Sequence, residues 1–164
     1  MGAIVLRVLD VDDWRAWRAM RRAALADAPT AFGSTLAEWS GAGDTEERWR
    51  SRLEGVAHNV LAELDGRQAG MVSATSAVEG DVELISMWVA PDARGKGVGD
   101  ALVTHVRDWA LELGAVRVVL DVRADNTFAI SLYARHGFLD VGEVTDPGAS
   151  PPERRMVAAL SERG

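Results

Sequence analysis

A glycine-rich turn is the part of this sequence whose residue types and spacing are best suited to chemistry. An apolar run ends at Pro91 and is followed by Arg94-Gly95-Lys96-Gly97-Val98-Gly99, where an amphipathic helix begins. The first N–H groups of a helix have no intrahelical partner, and the helix dipole adds positive potential there. Because glycine also lets the backbone approach a bulky anion closely, the turn predicts a binding site for phosphate.

The spacing of the glycines narrows the choice of phosphate ligand. A dinucleotide fingerprint, G-x-G-x-x-G, needs a third glycine where Asp100 stands, although Asp121 supplies the acidic residue about twenty positions further on. A nucleotide-hydrolase loop needs Ser or Thr after Gly-Lys, whereas Lys96 is followed by Gly97. The pattern that fits is Arg-x-x-Gly-x-Gly, which begins at Arg94.

A second block lies further along the chain and reads Asn126-Thr127-Phe128-Ala129-Ile130-Ser131-Leu132-Tyr133-Ala134-Arg135-His136-Gly137-Phe138. It fits the pattern N-x-x-A-x-x-L-Y-x-x-x-G-F. Taken in this order, the two blocks resemble the coenzyme A signature of the GCN5-related N-acetyltransferase (GNAT) superfamily. The resemblance covers about residues 83–138 and implies one N-acetyltransferase domain over residues 1–164.

The fold implied by this resemblance is α/β, with a mixed central β-sheet splayed near its middle and helices on both faces. Local patterns give the matching order β-α-α-β-β-β-α-β-α-β-β. We expect a helix from Asp44, a hairpin turn at Asp65-Gly66 and a return strand from Gln68 to Val78. The β-branched run from Val116 to Val122 predicts a strand buried on both faces.

The resemblance implies acetyl-CoA as the cosubstrate, with its pyrophosphate on the glycine-rich turn. Cationic side chains and backbone N–H groups would share this contact. The residues implied are two cations and four backbone donors: Arg94, Lys96, Gly95, Gly97, Val98 and Gly99.

The family also has a bulge at the end of its central strand, here at Met87, Trp88 and Val89. The bulge separates two parallel strands, admits the pantetheine arm and leaves backbone N–H groups for the thioester oxygen. Asn126 would bond the pantetheine arm or a phosphate. The alternative is that Asn126 only caps its helix, since Asn is a preferred N-cap.

Tyr133, the single tyrosine of the chain, is the candidate acid for the leaving thiolate. In the family, the phenol at this place faces the cofactor sulfur. A phenol titrates near pH 10 and a thiol near pH 8.5, which are close enough for proton transfer without a large penalty. The alternative is an aromatic side chain that only packs in the core.

Glu83 is the candidate base that takes the proton of an attacking amine, because some family members carry a catalytic glutamate at this position. Strand alternation predicts one face shared by Glu83, Ile85, Met87 and Val89, and apolar neighbours would raise the pKa of the carboxyl. The alternative is an exposed strand residue. His58, whose ordinary pKa suits a base better, and water remain open as bases.

Phe32 and Trp39 lie between the first two helices, in the region that forms one wall of the acceptor pocket in the resembled family. An aromatic wall can hold a cationic amine over its face. The alternative is a loop anchored by buried aromatic rings. The acceptor itself stays open among amino acids, polyamines, antibiotic amines, peptide N-termini and protein lysines.

The composition limits the partners, the cysteine chemistry and the location that the chain can have. The chain has 164 residues, a formal net charge of −7 and no long basic run, which argues against nucleic acid and anionic membranes as partners. It has no cysteine, so a disulfide, a thiolate nucleophile and a cysteine metal site are excluded, and we expect no metal. No apolar run approaches the roughly 20 residues of a membrane span, so we expect a cytoplasmic protein.

These observations predict an acetyl-CoA-dependent N-acetyltransferase in which a primary amine attacks the thioester directly in a ternary complex. The alternative from another class is a catalytically inactive module that keeps the fold and binds coenzyme A. A dehydrogenase that binds a nicotinamide dinucleotide is a weaker rival. The sequence leaves open whether the chain forms a homodimer.

Overall fold

The computed structural model describes residues 2–28, 35–144 and 152–160. The strands within these ranges are β1 (Ile4–Val8), β2 (His58–Leu64), β3 (Arg67–Ala74), β4 (Asp81–Val89), β5 (Arg117–Arg123), β6 (Leu139–Val144) and β7 (Glu153–Ala159). The α-helices are α1 (Trp14–Asp27), α2 (Glu46–Gly55), α3 (Val98–Glu112) and α4 (Thr127–Arg135). This order of helices and strands is the predicted one.

The strands form a single mixed sheet in the order β1-β2-β3-β4-β5-β7-β6. Only the central pair, β4 and β5, is parallel among the described strand pairs. That pairing is short, since it joins Asp81–Glu83 to Arg117–Val119 and then stops. Beyond it the two strands separate, and the predicted splay in the middle of the sheet is confirmed.

A β-bulge interrupts β4 on its other edge. Met71 of β3 pairs with Trp88 and Ser73 pairs with Ile85, so two steps along β3 correspond to three along β4. The extra residue falls next to Ser86, which has a φ of +55°. A bulge bends the strand and disrupts the ladder locally, which helps to turn this end of β4 away from β5.

The bulge reverses the direction of the side chains that follow it. Val82 and Leu84 lie in one core cluster, and Val89 belongs to that same cluster. Uninterrupted alternation would place Val89 on the opposite face from both. The predicted common face of Glu83, Ile85, Met87 and Val89 is therefore wrong, because one residue is inserted between its two ends.

The helices cover the two faces of the sheet unequally. Residues of α3 and α4 build a cluster with strands on both sides of the splay. Residues of α1 and α2 build a second cluster against β2, β3 and the end of β4, and its described members include none from β5. Thus Val118, Leu120 and Val122 are buried while Val119 and Asp121 stay partly exposed, and the prediction that β5 is buried on both faces is wrong.

Local boundaries follow the turn and capping residues. Asp65 and Gly66 have φ values of +52° and +82°, as a tight hairpin turn requires. Helix α2 begins at Glu46, two residues later than expected, because the Thr45 hydroxyl, and not Asp44, accepts the N–H of Arg48. Strand β3 ends at Ala74, well before Val78. Within the described residues, no helix combines the length and apolar character needed to cross a bilayer.

Candidate active site

A cavity of about 370 Å³ occupies the gap between β4 and β5. Its walls are Leu84–Val89 of β4 and Leu120–Arg123 of β5, with side chains from α4 and the end of α1 closing the remaining sides. Because the β4–β5 ladder stops before these segments, their facing backbone groups are not used by that ladder. The gap therefore combines apolar and polar side chains with backbone hydrogen-bonding groups of both strands.

The glycine-rich turn begins α3 beside this cavity. Gly97 precedes the helix with a φ of +89°, a conformation that strains any other residue. Gly99 permits close packing, since a Cβ there would lie 2.9 Å from Leu132 Cδ2. Leu132 itself lines the cavity. No described side chain caps the start of α3, so its first N–H groups are left for another acceptor.

The two predicted phosphate-binding cations lie in different places. Arg94 lines the cavity, but its Nε donates to the Val89 carbonyl at 3.0 Å and its Nη2 donates to Asp27 Oδ2 at 2.9 Å. Lys96 lines a second hollow, beside Asp65 and Asp92. Charge contacts from both residues to a phosphate stay predictions. The backbone of the turn has the conformation described above without them.

The predicted strand residues Met87, Trp88 and Val89 all line the cavity, directly after the bulge. The Trp88 ring packs on the α1–α2 side, where its Nε1 donates to Asp27 Oδ2 at 3.0 Å. Asp27, the last residue of α1, thus joins two residues around the end of β4. Sequence analysis missed Asp27, because nothing in the pattern of α1 indicates a contact across the cavity.

Asn126 lies at the start of α4 and lines the cavity. Its Oδ1 accepts the N–H of Ala129 at 3.1 Å, so it caps the helix as the alternative interpretation proposed. The cap fixes the orientation of the amide beside the cavity. A contact between Asn126 and a cofactor stays a prediction.

Tyr133 is buried on α4 and lines the same cavity. Its ring lies 5.7 Å from that of Phe138, centroid to centroid, at an angle of 56°. Burial raises the pKa of the phenol well above its ordinary value. Tyr133 is therefore fully protonated at neutral pH and can act as a hydrogen-bond or proton donor.

Glu83 is the last residue of β4 that pairs with β5, so it lies at the closed end of the gap and not among the lining residues. It is half-buried. Burial raises the pKa of its carboxyl, the negative charge of Asp121 raises it further, and Arg155 partly opposes both. A carboxylate with a raised pKa is a stronger base than one in water.

Asp121 is a second carboxylate that sequence analysis did not connect with Glu83. Glu83 pairs with Val119 in parallel register, so Asp121, two residues further along β5, points to the same face. It lines the cavity, and Arg155 binds both of its oxygens at 2.9 and 3.1 Å. Only the register of the two strands reveals this neighbour.

His58, the other candidate base, does not line the cavity. Its Nε2 lies 2.8 Å from Nε2 of His105, and its ring stacks on Trp109 at a centroid distance of 4.5 Å. Burial and the neighbouring His105 lower the pKa of His58. The three rings join β2 to α3, and a role of His58 as the base stays a prediction.

Of the two predicted acceptor contacts, Phe32 lies outside the described residues. Trp39 does not line the cavity: its ring lies 4.4 Å from that of Trp49, and the guanidinium of Arg48 lies 4.1 Å from its centroid. These contacts fit the alternative of an anchored loop. Phe128, which lines the cavity and is 52% exposed, is an aromatic wall residue that the sequence pattern does not single out.

Comparison with known proteins agrees with this geometry. Residues 16–138, most of the chain, match the model of the acetyltransferase (GNAT) family. The chain belongs to this family. GNAT membership accounts for the splayed sheet, the bulge in β4 and the glycine-rich start of α3 as parts of one architecture.

Individual GNAT relatives extend the comparison. Mycothiol acetyltransferase of Clavibacter sepedonicus is 33% identical over 140 residues, covering 85% of this chain and 44% of that protein. Streptothricin acetyltransferase of Streptomyces lavendulae is 39% identical over 79 residues, covering 48% and 42%. The chain thus spans less than half the length of these curated relatives.

Solved structures show the same GNAT fold. The yncA protein of Salmonella typhimurium, solved with its cofactor acetyl-CoA, superposes with a TM-score of 0.75. The match covers 99% of this chain and 96% of that one, at 20% sequence identity. Identity at this level establishes the shared fold.

Proposed function

We propose that this GNAT chain transfers the acetyl group of acetyl-CoA to a primary amine by direct attack in a ternary complex. The observation that carries the proposal is the meeting, in one cavity, of the β4 bulge, the β4–β5 gap and the buried phenol of Tyr133. Each supplies one requirement of the reaction, and the glycine-rich turn lies against the same cavity through Leu132.

The cofactor would extend from the start of α3 into the gap. Its pyrophosphate would accept hydrogen bonds from the N–H groups around Gly97 and Gly99, and Asn126 lines the cavity that the arm would enter. The pantetheine arm would follow β4 between the separated strands. Its thioester oxygen would meet backbone N–H groups near Met87, which stabilise the negative charge that develops on oxygen.

The chemistry exchanges a C–S bond for a C–N bond and moves protons at both ends. The ammonium form of the amine loses one proton to Glu83, directly or through water, its nitrogen then attacks the thioester carbon, and the second proton on nitrogen leaves to solvent as the amide forms. The C–S bond breaks, and the departing sulfur receives the proton or a hydrogen bond from Tyr133. No covalent enzyme intermediate is needed, and the chain has no cysteine to form one.

The test is release of free thiol from acetyl-CoA over a panel of amines, run beside calorimetric binding of acetyl-CoA. Thiol release that depends on an added amine is the expected result. Tight binding with no release on any amine would instead identify a coenzyme A-binding module. Binding of NADH in place of acetyl-CoA would contradict the proposal outright. The names of the curated relatives make mycothiol precursors and streptothricin-like amines sensible members of the panel.

A further inference from the structure

A charged side chain from α2 reaches across the sheet to the β4 bulge. Arg52 Nη2 donates to Ser86 Oγ at 3.1 Å and to Ser73 Oγ at 3.2 Å, while its Nη1 donates to Asn59 Oδ1 at 3.0 Å. Ser86 lies at the bulge and lines the cavity. The guanidinium therefore binds three neighbouring strands from the face opposite α3.

Arg52 is held firmly in this position. Its guanidinium carbon lies 4.9 Å from the centre of the Trp17 ring, and burial together with nearby Arg21 lowers its pKa to about 10, so it stays charged at neutral pH. A buried charge is stable only when its donors are satisfied in good geometry. Such a group has little freedom to move and can fix whatever it binds.

The acceptors on β2 and β3 are equally fixed. Ser73 is fully buried and donates to Asn59 Oδ1 at 2.7 Å. The Asn59 amide donates to the carbonyls of Leu53 and Val56, at 3.2 and 3.1 Å. Arg52 thus rests on a rigid polar network that ties the end of α2 to the sheet, and Ser86 is its contact at the cavity.

The backbone of Ser86 requires such support. A φ of +55° is uncommon for a residue other than glycine and persists where surrounding contacts fix it. Arg52 supplies such a contact, since it donates to the Ser86 hydroxyl from outside β4.

We propose that Arg52, acting through the Ser86 hydroxyl, is a positioning residue that holds the β4 bulge in the geometry in which backbone N–H groups meet the thioester oxygen. This rests on the proposed function, because the thioester site is part of it. The role is one of position: Arg52 does not line the cavity, and it acts on the reacting group through the bulge alone.

The experiment compares two serine variants that remove hydrogen bonds to the same arginine nitrogen. Ser86→Ala breaks the contact at the cavity and leaves the bonds of Arg52 to Ser73 and Asn59. Ser73→Ala is the matched control, since Ser73 accepts from the same Nη2 but lies on β3 outside the cavity. The readouts are the carbonyl stretching frequency of carbonyl-labelled acetyl-CoA bound to each protein, and the Kd of coenzyme A by calorimetry.

Binding to the wild type should lower the carbonyl frequency from its value in water, because the oxygen accepts backbone hydrogen bonds. In Ser86→Ala the frequency should move back toward the free value, while the Kd of coenzyme A, which lacks the acetyl group, stays within about threefold. Ser73→Ala should keep the wild-type frequency even though it loses two hydrogen bonds and unfolds at a lower temperature.

Ser86→Gly provides a second variant, since glycine adopts the same φ without strain. It should show a smaller frequency change than Ser86→Ala, because glycine keeps the φ of the bulge with less need of the bond from Arg52. Wild-type frequencies in both Ser86 variants, or an equal change in Ser73→Ala, would overturn the positioning role alone. Failure of acetyl-CoA to bind the wild type would overturn the proposed function and this role with it.

Discussion

Tyr133 lies in an apolar wall, where a phenol is a weaker acid than in water. Burial raises its pKa, which widens the difference from a free thiol. The same surroundings would raise the pKa of a thiol that leaves beside it, since burial in apolar surroundings disfavours the thiolate. In the proposed reaction, the pKa values of donor and leaving group would therefore be shifted in the same direction, and proton transfer between them would stay feasible.

Replacement of the phenol tests this role. Tyr133→Phe keeps the ring and its contact with Phe138, so acetyl-CoA affinity should hold within a few fold. The kcat should fall roughly 10²-fold, the usual size for loss of a positioned acid. The defect should shrink with an acyl donor whose thiol leaves more easily. Unchanged kcat would make Tyr133 a packing residue, and weaker acetyl-CoA binding would make its hydroxyl a binding contact.

As the proposed base, Glu83 should give the reaction a predictable dependence on pH. A base must be deprotonated, so kcat/KM should rise with pH through the raised pKa of Glu83. Glu83→Gln should lower kcat about 10²-fold, with partial recovery at high pH. Because the pKa of Glu83 is higher in the folded protein than in the unfolded chain, ionisation of this carboxyl lowers the stability of the folded protein at pH values above the unfolded pKa. Glu83→Gln should therefore cost no thermal stability at neutral pH.

The neighbours of Glu83 give the sign of further shifts. Arg155→Met removes a charge that lowers the pKa of Glu83, so the rising limb of the pH profile should move to higher pH; Asp121→Asn should move it to lower pH. Arg117→Met is the matched control, because Arg117 forms the equivalent two-bond pair with Asp81. A limb that stays in place in both the Arg155 and Asp121 variants would leave water as the base.

Among the secondary-structure elements, the start of α3 is the one expected to bind the phosphate of the cofactor. Gly97→Asp adds bulk and negative charge where phosphate should accept hydrogen bonds, so it should abolish stabilisation by acetyl-CoA. In the wild type that stabilisation should reach about 2.7 kcal/mol at a hundredfold excess over the Kd.

The same helix offers a control for this substitution. Gly114, after the end of α3, has a comparable φ of +79° against +89° at Gly97. Gly114→Asp should lower the melting temperature of the free protein to a similar extent but keep the shift on adding acetyl-CoA. Equal retention of the ligand shift in both variants, measured by thermal unfolding, would place the phosphate elsewhere.

How far the sequence predicts these elements depends on whether a feature is local. The glycine turn, the helix cap at Asn126 and the hairpin at Asp65-Gly66 follow from a few consecutive residues, and the structure has all three. The family resemblance adds the bulge. The reversal of side-chain direction after Ser86 is not readable from alternation, because it depends on the register between β3 and β4.

Contacts between distant elements were the least predictable part of the site. Asp121 lies near Glu83 through parallel register, and Arg52 reaches Ser86 across two intervening strands. No local spacing encodes either contact. Conversely, the aromatic pattern suggested a role for Trp39, whose ring packs against Trp49 instead.

At the scale of the whole molecule, the sheet consists of two halves, β1–β4 and β5–β7, joined by the short β4–β5 ladder and by α3. Hydrogen exchange should reflect this division. Amides in Leu84–Val89 and Leu120–Arg123 should exchange faster than those in the β2–β3 hairpin, and acetyl-CoA should slow the first two segments selectively. Uniform protection throughout the sheet, with or without ligand, would contradict a cofactor seated in the gap.

The separation of β4 from β5 also has a consequence for turnover under cellular conditions. In the proposed complex, the gap would hold the long arm that substrate and product share, and the acetyl group would add only a small fragment at its inner end. Coenzyme A should therefore compete with acetyl-CoA at nearly equal affinity, within about tenfold. The rate would then follow the ratio of acetylated to free coenzyme A rather than the concentration of acetyl-CoA alone. Through the separation of β4 from β5, turnover would respond to the supply of acetyl groups in the cell.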